Sequence, residues 1–266
     1  MEERHSRQTF LGECSEKQIR SSIIGVVGLG GGGSHIVQQL AHVGFINYVL
    51  YDGQEIEESN LNRLIGAIYT DPNNATPKIE IACRQIRNLH PNAVIKAYKD
   101  RWQDNPLPLR DCDIILGCVD GFAERRELET CARRYLIPYI DIGLDVHPGC
   151  PPAMTGQIIL SLPGMPCLKC IDFLSDKNLA IEASKYGAAG VRPQVVWGNG
   201  VLASSAVGIA VDLITGWTHP DDRKVYLSYD GNSGTVCPHI RLRFLQSDTC
   251  PHFISQDVGD PIFKKV

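Results

Sequence analysis

The stretch VVGLGGGGSHIVQQL, from Val26 to Leu40, constrains this chain more than any other. Five glycines separate a short apolar run from a segment with helical spacing. SIIGVVG (22–28) reads as a buried strand, because it is apolar, short and bounded by glycine. From Ser34 onward Ile36, Val37, Leu40 and Val43 fall on one helical face. Gly28, Gly30 and Gly33 therefore spell G-x-G-x-x-G between a strand and a helix. Glycine permits the tight bend and lets backbone N–H groups approach a phosphate at the helix N-terminus. Asp52 ends the next β-rich run, FINYVLYDG (45–53), 19 residues past Gly33. A carboxylate there can accept hydrogen bonds from ribose hydroxyls. The pattern points to a nucleotide and leaves NAD and ATP both open.

Strands and helices then alternate. AVIKAYK (93–99), CDIILGCVDG (112–121) and IPYIDIGLD (137–145) read as strands three to five. TPKIEIACRQIRNLHP (76–91) reads as a helix with Thr76 as N-cap and Pro77 at the first helical position. FAERRELETCARRYL (122–136) reads as another. Residues 1–21 form a polar, helical lead-in, and the polar stretch after Asp52 reads as an ordered loop with one helical turn. Beyond residue 145 the pattern changes. MTGQIILSLPG (154–164) and RKVYLSYDG (223–231) look like antiparallel strands, and VLASSAVGIAVDLITGW (201–217) like a small-residue helix suited to close packing. VRPQVVWGNG (191–200) reads as a loop before that helix, a candidate lining for the path of a substrate. The fold class expected is α/β: a Rossmann-like, doubly wound, mostly parallel sheet extended by antiparallel C-terminal strands. One domain over 1–266 is expected, with a nucleotide-binding half to about residue 145 and a C-terminal elaboration over 146–266.

Charge and composition narrow the function. A net charge of −4 and a pI near 6.1 leave no footprint for nucleic acid or an anionic membrane. No apolar run of 18 residues is expected to span a bilayer. The charged start lacks the apolar core of a signal peptide, so a cytoplasmic location is expected. Ten cysteines are many for a reducing compartment. There, close pairs suggest a metal and isolated ones suggest core filling.

The polar residues after Asp52 discriminate between nucleotides. SNLNRL supplies Asn60, Asn62 and Arg63. Lys78 lies in the first turn of its helix, where the helix dipole disfavours a cation, so it is expected to face an anion. Asp120 closes the fourth strand, with Arg125 five residues on. Arg63 and Lys78 suit a triphosphate, and Asp120 can hold Mg²⁺. Hydride transfer has no comparable use for the two cations. Taken singly, each could equally be a solvated surface charge.

At these residues the sequence resembles the ThiF/MoeB adenylyltransferases, relatives of the ubiquitin-activating enzymes, over nearly the whole chain. R-x-x-R-Q stands at Arg4, Arg7 and Gln8, and G-x-G-G-x-G-S runs from Gly28 through Gly30, Gly31 and Gly33 to Ser34. The pattern D-x6-S-N-L-x-R runs from Asp52 to Arg63, and P-K is Pro77–Lys78. Asp120 stands for the aspartate of the family's C-x-D strand end. The resemblance implies that ATP and Mg²⁺ bind at the glycine turn with Asp52 on the ribose. It implies that Arg63 and Lys78 stabilise charge on the phosphates while Asp120 positions the metal. The substrate implied is the C-terminal carboxylate of a ubiquitin-like or sulfur-carrier protein, converted to an acyl-adenylate with release of pyrophosphate. Arg7 would reach into the site of a second copy, so a homodimer is implied. Bringing two anions together needs preorganised cations, which agrees with this set.

Three positions depart from the family. Leu64 stands where glutamine usually follows the arginine. The segment from Ile171 to Gln194, where thioester-forming relatives keep a cysteine, has none, so the acyl group is expected to pass to a thiol on a partner such as a conjugating enzyme. The third concerns metal. Cys167 and Cys170 have the C-x-x-C spacing that zinc prefers. Relatives complete the site with a second C-x-x-C, but here that place reads Cys250, Pro251, His252, Phe253. His252 is a candidate fourth ligand that with Cys250 would give a Cys3His structural zinc shell, and Cys237 and His239 are the other options. Cys112 and Cys118 flank an apolar strand and read as core, and neither Cys131 nor Cys150 has a cationic setting that would activate a thiol. Other readings are an NAD-dependent oxidoreductase on the same turn, adenylation of a small-molecule or tRNA-base carboxylate, and a non-catalytic scaffold.

Overall fold

The computed structural model describes residues 3–175, 179, 193–219, 225–245, 247, 249–253 and 258–259. Five strands pair in parallel: β1 (Ile23–Val27), β2 (Asn47–Tyr51), β3 (Val94–Tyr98), β4 (Ile114–Gly117) and β5 (Tyr139–His147). Three more continue the sheet antiparallel: β6 (Ala153–Ser161), β7 (Tyr226–Asp230) and β8 (Thr235–Pro238). The order across the sheet is β3-β2-β1-β4-β5-β6-β7-β8. This is the doubly wound sheet with antiparallel extension expected from the alternation of elements. β8 is an addition: its four residues are all exposed, so no alternation of apolar and polar residues announces it.

The pleat sends alternate residues to two faces. Ile24 and Val26 of β1, Ile114 and Leu116 of β4, and Ile140 and Ile142 of β5 point to one face. There they meet α2 (Gly31–Val43), α3 (Lys78–Leu89) and α5 (Val196–Thr215), with Ile19 of α1 (Ser15–Ser21) at the margin. Val27, Ile115, Tyr139 and Ile159 point to the other face, covered by Leu128 and Ala132 of α4 (Phe122–Arg134) and by Trp102, Leu109 and Leu168.

Three local expectations need correction. α3 starts one residue later than expected, with Pro77 rather than Thr76 at the N-cap. An isolated bridge between Glu55 and Pro77 holds Pro77 extended, at ψ 135°, so the helix cannot include it. β4 ends at Gly117, which leaves Asp120 in the turn before α4. Residues 196–200 belong to α5 and not to a loop. α5 is also long and apolar enough to cross a membrane by length and composition, with a window of mean hydropathy 1.3. Its glycines and serines, with the single Asp212, hide this from a search for unbroken apolar runs. Half of that window is buried in the fold, where Leu202, Ala203, Ala206 and Ala210 pack in the core shared with α2.

Candidate active site

A cavity of ≈ 990 Å³ opens where β1, β2 and β4 end, beside the point at which the strand order reverses between β1 and β4. This is where open α/β sheets bind ligands. The glycine turn forms one wall. Gly28 has φ +86°, and a Cβ on it would lie 2.5 Å from the Cys118 carbonyl oxygen. A Cβ on Gly33 would fall on the Gly28 carbonyl oxygen, so the first turn of α2 packs directly on the bend. Gly30 lines the cavity and has nothing within 4 Å of its Cβ position, which leaves bare backbone at the helix N-terminus facing the space.

The acid and the cations expected from the sequence gather around this turn. Asp52 Oδ2 accepts from the Leu29 N–H at 2.6 Å and Oδ1 from the Gln54 N–H at 2.8 Å. The carboxylate thus anchors the glycine turn while lining the cavity. Lys78 is 9% exposed, lines the cavity, and donates from Nζ to the neutral Gln54 Oε1 at 2.6 Å. Among the described residues no carboxylate pairs with it. Arg63 donates from Nη1 to Ser59 O at 2.7 Å and to Asn62 Oδ1 at 2.9 Å, again with no carboxylate partner among the described residues. A buried lysine at a helix N-terminus with only a neutral amide beside it is a place for an anionic ligand.

Asn60 is buried and caps its own turn, its Oδ1 accepting from the Glu57 N–H at 3.3 Å. Ser34 Oγ accepts from the Ile65 N–H at 3.0 Å and ties this loop to α2. Leu64, standing in place of the family's glutamine, packs with Ile56 and Ile81 in a small apolar cluster. Asp120 is exposed at the cavity rim. Arg7 is exposed on the 3-10 helix Glu3–Leu11 and is not among the residues lining this cavity.

One arrangement escaped the sequence reading. Arg125, Glu129 and Arg133 recur every four residues on α4 and are all buried, at 6%, 2% and 1% exposure. They face polar residues of β5 and β6. Arg125, which lines the cavity, pairs with the fully buried Asp141 behind it, and Tyr139 donates its hydroxyl to Asp141 Oδ1 at 2.9 Å. Burial opposes the Arg125 charge most strongly, but the Asp141 carboxylate, Tyr139 and Asp120 together outweigh it and raise the arginine's pKa. Glu129 accepts from Ser161 Oγ at 2.5 Å and from the Leu168 N–H at 2.9 Å. Burial pushes its carboxyl up to about 7. Arg133 donates to Ser161 Oγ and to the carbonyls of Met165 and Pro166, at 2.7, 3.0 and 3.2 Å.

Those last contacts hold the loop that carries Cys167 and Cys170. The ligand atoms of Cys167, Cys170, Cys250 and His252 lie within 4.8 Å of one another. Cys167 Sγ is 3.6 Å from Cys170 Sγ and 3.4 Å from His252 Nδ1, and Cys170 Sγ is 3.7 Å from Cys250 Sγ. Bonds of about 2.3 Å to sulfur and 2.0–2.1 Å to nitrogen in a tetrahedron put ligand atoms roughly 3.5–3.8 Å apart, so the cluster could hold a metal ion. Cys237 is exposed on β8, and His239 stacks on Tyr226, so neither joins the cluster. Phe253, which cannot ligate, has Arg133 over its ring at 5.4 Å. Cys118 lines the cavity, but burial, then repulsion from Asp141, pushes its thiol up, which leaves it a poor nucleophile. In the cysteine-free segment Ile171–Gln194, residues 176–178 and 180–192 lie outside those described.

Known proteins resemble this chain in sequence and in fold. The ThiF family matches residues 3–252. The molybdopterin-synthase adenylyltransferase of Escherichia coli K12 is 26% identical over 254 residues, covering 93% of this chain and 94% of that protein. The SAMP-activating enzyme E1 of Haloferax volcanii is 27% identical over 216 residues, covering 79% of this chain and 76% of that protein. The crystal structure of E. coli MccB with ATP superposes with a TM-score of 0.75 at 17% identity, covering 96% of this chain and 74% of that one. That last likeness concerns the fold alone.

Proposed function

This chain belongs to the ThiF family, and from that premise we propose that it is an ATP-dependent adenylyltransferase acting on the C-terminal carboxylate of a ubiquitin-like or sulfur-carrier protein. The observation that carries the reading is Lys78, a buried cation with a neutral partner, beside Arg63 and a helix N-terminus. The names of the relatives support it, since they include an adenylyltransferase and an activating enzyme.

In this mechanism the backbone of Gly28–Gly31 receives the phosphates, Asp52 the ribose hydroxyls, and Asn60 holds the loop that presents Arg63. The carrier carboxylate attacks the α-phosphorus, the bond to the β-phosphate bridge breaks, and pyrophosphate leaves with the electron pair. Lys78 and Arg63 spread the charge that builds in this step. Asp120 would hold Mg²⁺, which when bound neutralises the departing phosphates. Arg7 serves the site of a second copy, and the protein acts as a homodimer. A thiol on a conjugating enzyme takes the acyl group, because the one cavity cysteine among the described residues is ill suited to it. The chemistry expects no nucleic acid and no membrane, and thiolate ligands suit the reducing cytoplasm.

The test is exchange of labelled pyrophosphate into ATP in the presence of Mg²⁺ and a ubiquitin-fold protein ending in Gly-Gly from the same genome. Exchange is expected to need both the metal and the terminal glycine. Asp120→Ala is expected to lower it about 100-fold or more. Tight NADH binding without ATP binding would instead establish the oxidoreductase reading.

The Cys3His cluster takes a structural zinc, with four protein ligands and no open position. Metal analysis is expected to return about one zinc per chain, and Cys167→Ser about none, with a melting temperature lower by several degrees or more. A metal-free chain of full stability would remove zinc from this account.

A further inference from the structure

Gly31, the first residue of α2, is covered by two carboxamides from elsewhere in the chain. A Cβ on Gly31 would lie 2.5 Å from Asn199 Nδ2 and 3.3 Å from Gln194 Oε1, and one on Gly32 would lie 3.7 Å from Asn199 Oδ1. Both side chains line the cavity. Asn199 is 5% exposed, on the first turn of a helix whose other buried residues are mostly aliphatic or glycine. One Nδ2 hydrogen goes to the Val195 carbonyl at 3.1 Å, which sets the orientation of the amide. The second Nδ2 hydrogen and Oδ1 have no protein partner among the described residues. The free part of the amide therefore faces the cavity, where a ligand can reach it. The approach to α5 is itself held in place, because the Gln194 carbonyl accepts from Asn62 Nδ2 at 3.2 Å.

The surroundings indicate which part of a ligand meets it. Ile142 lies against Gly32, Leu144 against Gly198, and Leu202 follows one turn along α5; with Gly143, all three line the cavity. The side chains of Ile142, Leu144 and Leu202 are aliphatic, and the one cation against this wall, Arg125 beside Gly143, is already paired with Asp141, unlike Lys78 and Arg63. Phosphates belong with the cations that lack a carboxylate partner, and the aliphatic wall suits the acyl end of an adenylate. We propose that Asn199 is a binding residue for that end, donating its second Nδ2 hydrogen to the carbonyl oxygen inherited from the attacking carboxylate. This rests on the adenylyltransferase reading and adds the residue that orients the nucleophile. A neutral donor suits the task. It holds a carboxylate more weakly than a cation would, so the charge that drives the attack is not quenched, and the bond persists once the oxygen becomes a neutral acyl carbonyl.

The test uses 5′-O-[N-(glycyl)sulfamoyl]adenosine, a stable mimic of a glycyl adenylate, alongside ATP·Mg²⁺ and AMP in calorimetric titrations. Asn199→Leu, which keeps the volume over Gly31, and Asn199→Ala are both expected to bind the mimic about 10- to 100-fold more weakly. Their ATP affinity is expected to stay within about threefold, a split that a merely structural role would not produce. In the wild type, the Asn199 side-chain amide signal in ¹⁵N NMR is expected to move with the mimic and not with AMP. Unchanged affinity for the mimic in the folded variants, an equal loss for ATP, or an unmoved wild-type signal would each overturn the assignment. Wild type that binds the mimic no better than AMP would overturn the adenylyltransferase reading itself, whereas tight wild-type binding that both variants retain would remove Asn199 alone.

Discussion

Lys78→Ala is expected to lower carrier-dependent pyrophosphate exchange by about 10²–10³-fold, the range seen when one preorganised charge-stabilising donor is removed from a transition state. The same substitution is expected to leave the melting temperature unchanged or higher. Lys78 is buried at the start of α3, and its partner there is the neutral Gln54 amide. Without a ligand the charge is desolvated and opposed by the helix dipole, so the apo protein gains nothing from it. Lys78→Gln, which keeps a donor but not the charge, is expected to behave like the alanine variant in exchange. Exchange and thermal melts on the same preparations check both halves. A variant that melts several degrees lower, or that exchanges at the wild-type rate, would show that Lys78 serves the fold rather than the phosphates.

The second large effect concerns stability. Asp141→Ala is expected to cost about 3–5 kcal/mol, because it strands the guanidinium of Arg125 in the interior. Arg125 cannot shed its proton to escape. It is 6% exposed and Asp141 is fully buried, with Tyr139 as a further donor to the carboxylate. Replacing both members together, as Arg125→Met with Asp141→Leu, is expected to cost much less than the single change, since a buried pair and an apolar pair of similar volume are often close in stability. Urea denaturation of the two singles and the double gives the coupling directly. A single-variant loss below about 1 kcal/mol would place the pair in a far wetter setting than its burial indicates.

What was legible beforehand was local. The glycine turn, Asp52 and Lys78 stand at short, fixed spacings from strand ends and helix starts, and the sheet brings them around one cavity for that reason. The C-x-x-C pair was legible on the same grounds. The choice of His252 over Cys237 or His239 was not, because it depends on how the chain after β7 returns to the Cys167 loop. The charged stripe of α4 was hidden by its own helix. FAERRELETCARR carries charges on every side, and nothing in that string says that Arg125, Glu129 and Arg133 turn inward. Their partners lie 16 to 39 residues further along the chain. Asn199 was read as part of a loop, since a tryptophan and two glycines around it mask the start of α5.

That stripe joins two regions that would otherwise drift apart in evolution. From Arg125 to Arg133 the helix advances about 12 Å, from the nucleotide cavity to the cysteine loop. A descendant that shed its four metal ligands would also release the loop that gives Glu129 and Arg133 the Leu168 amide and the Met165 and Pro166 carbonyls, leaving both with Ser161 Oγ. Lineages lacking the ligands should therefore carry apolar or neutral residues at both helix positions, having exchanged them as a set.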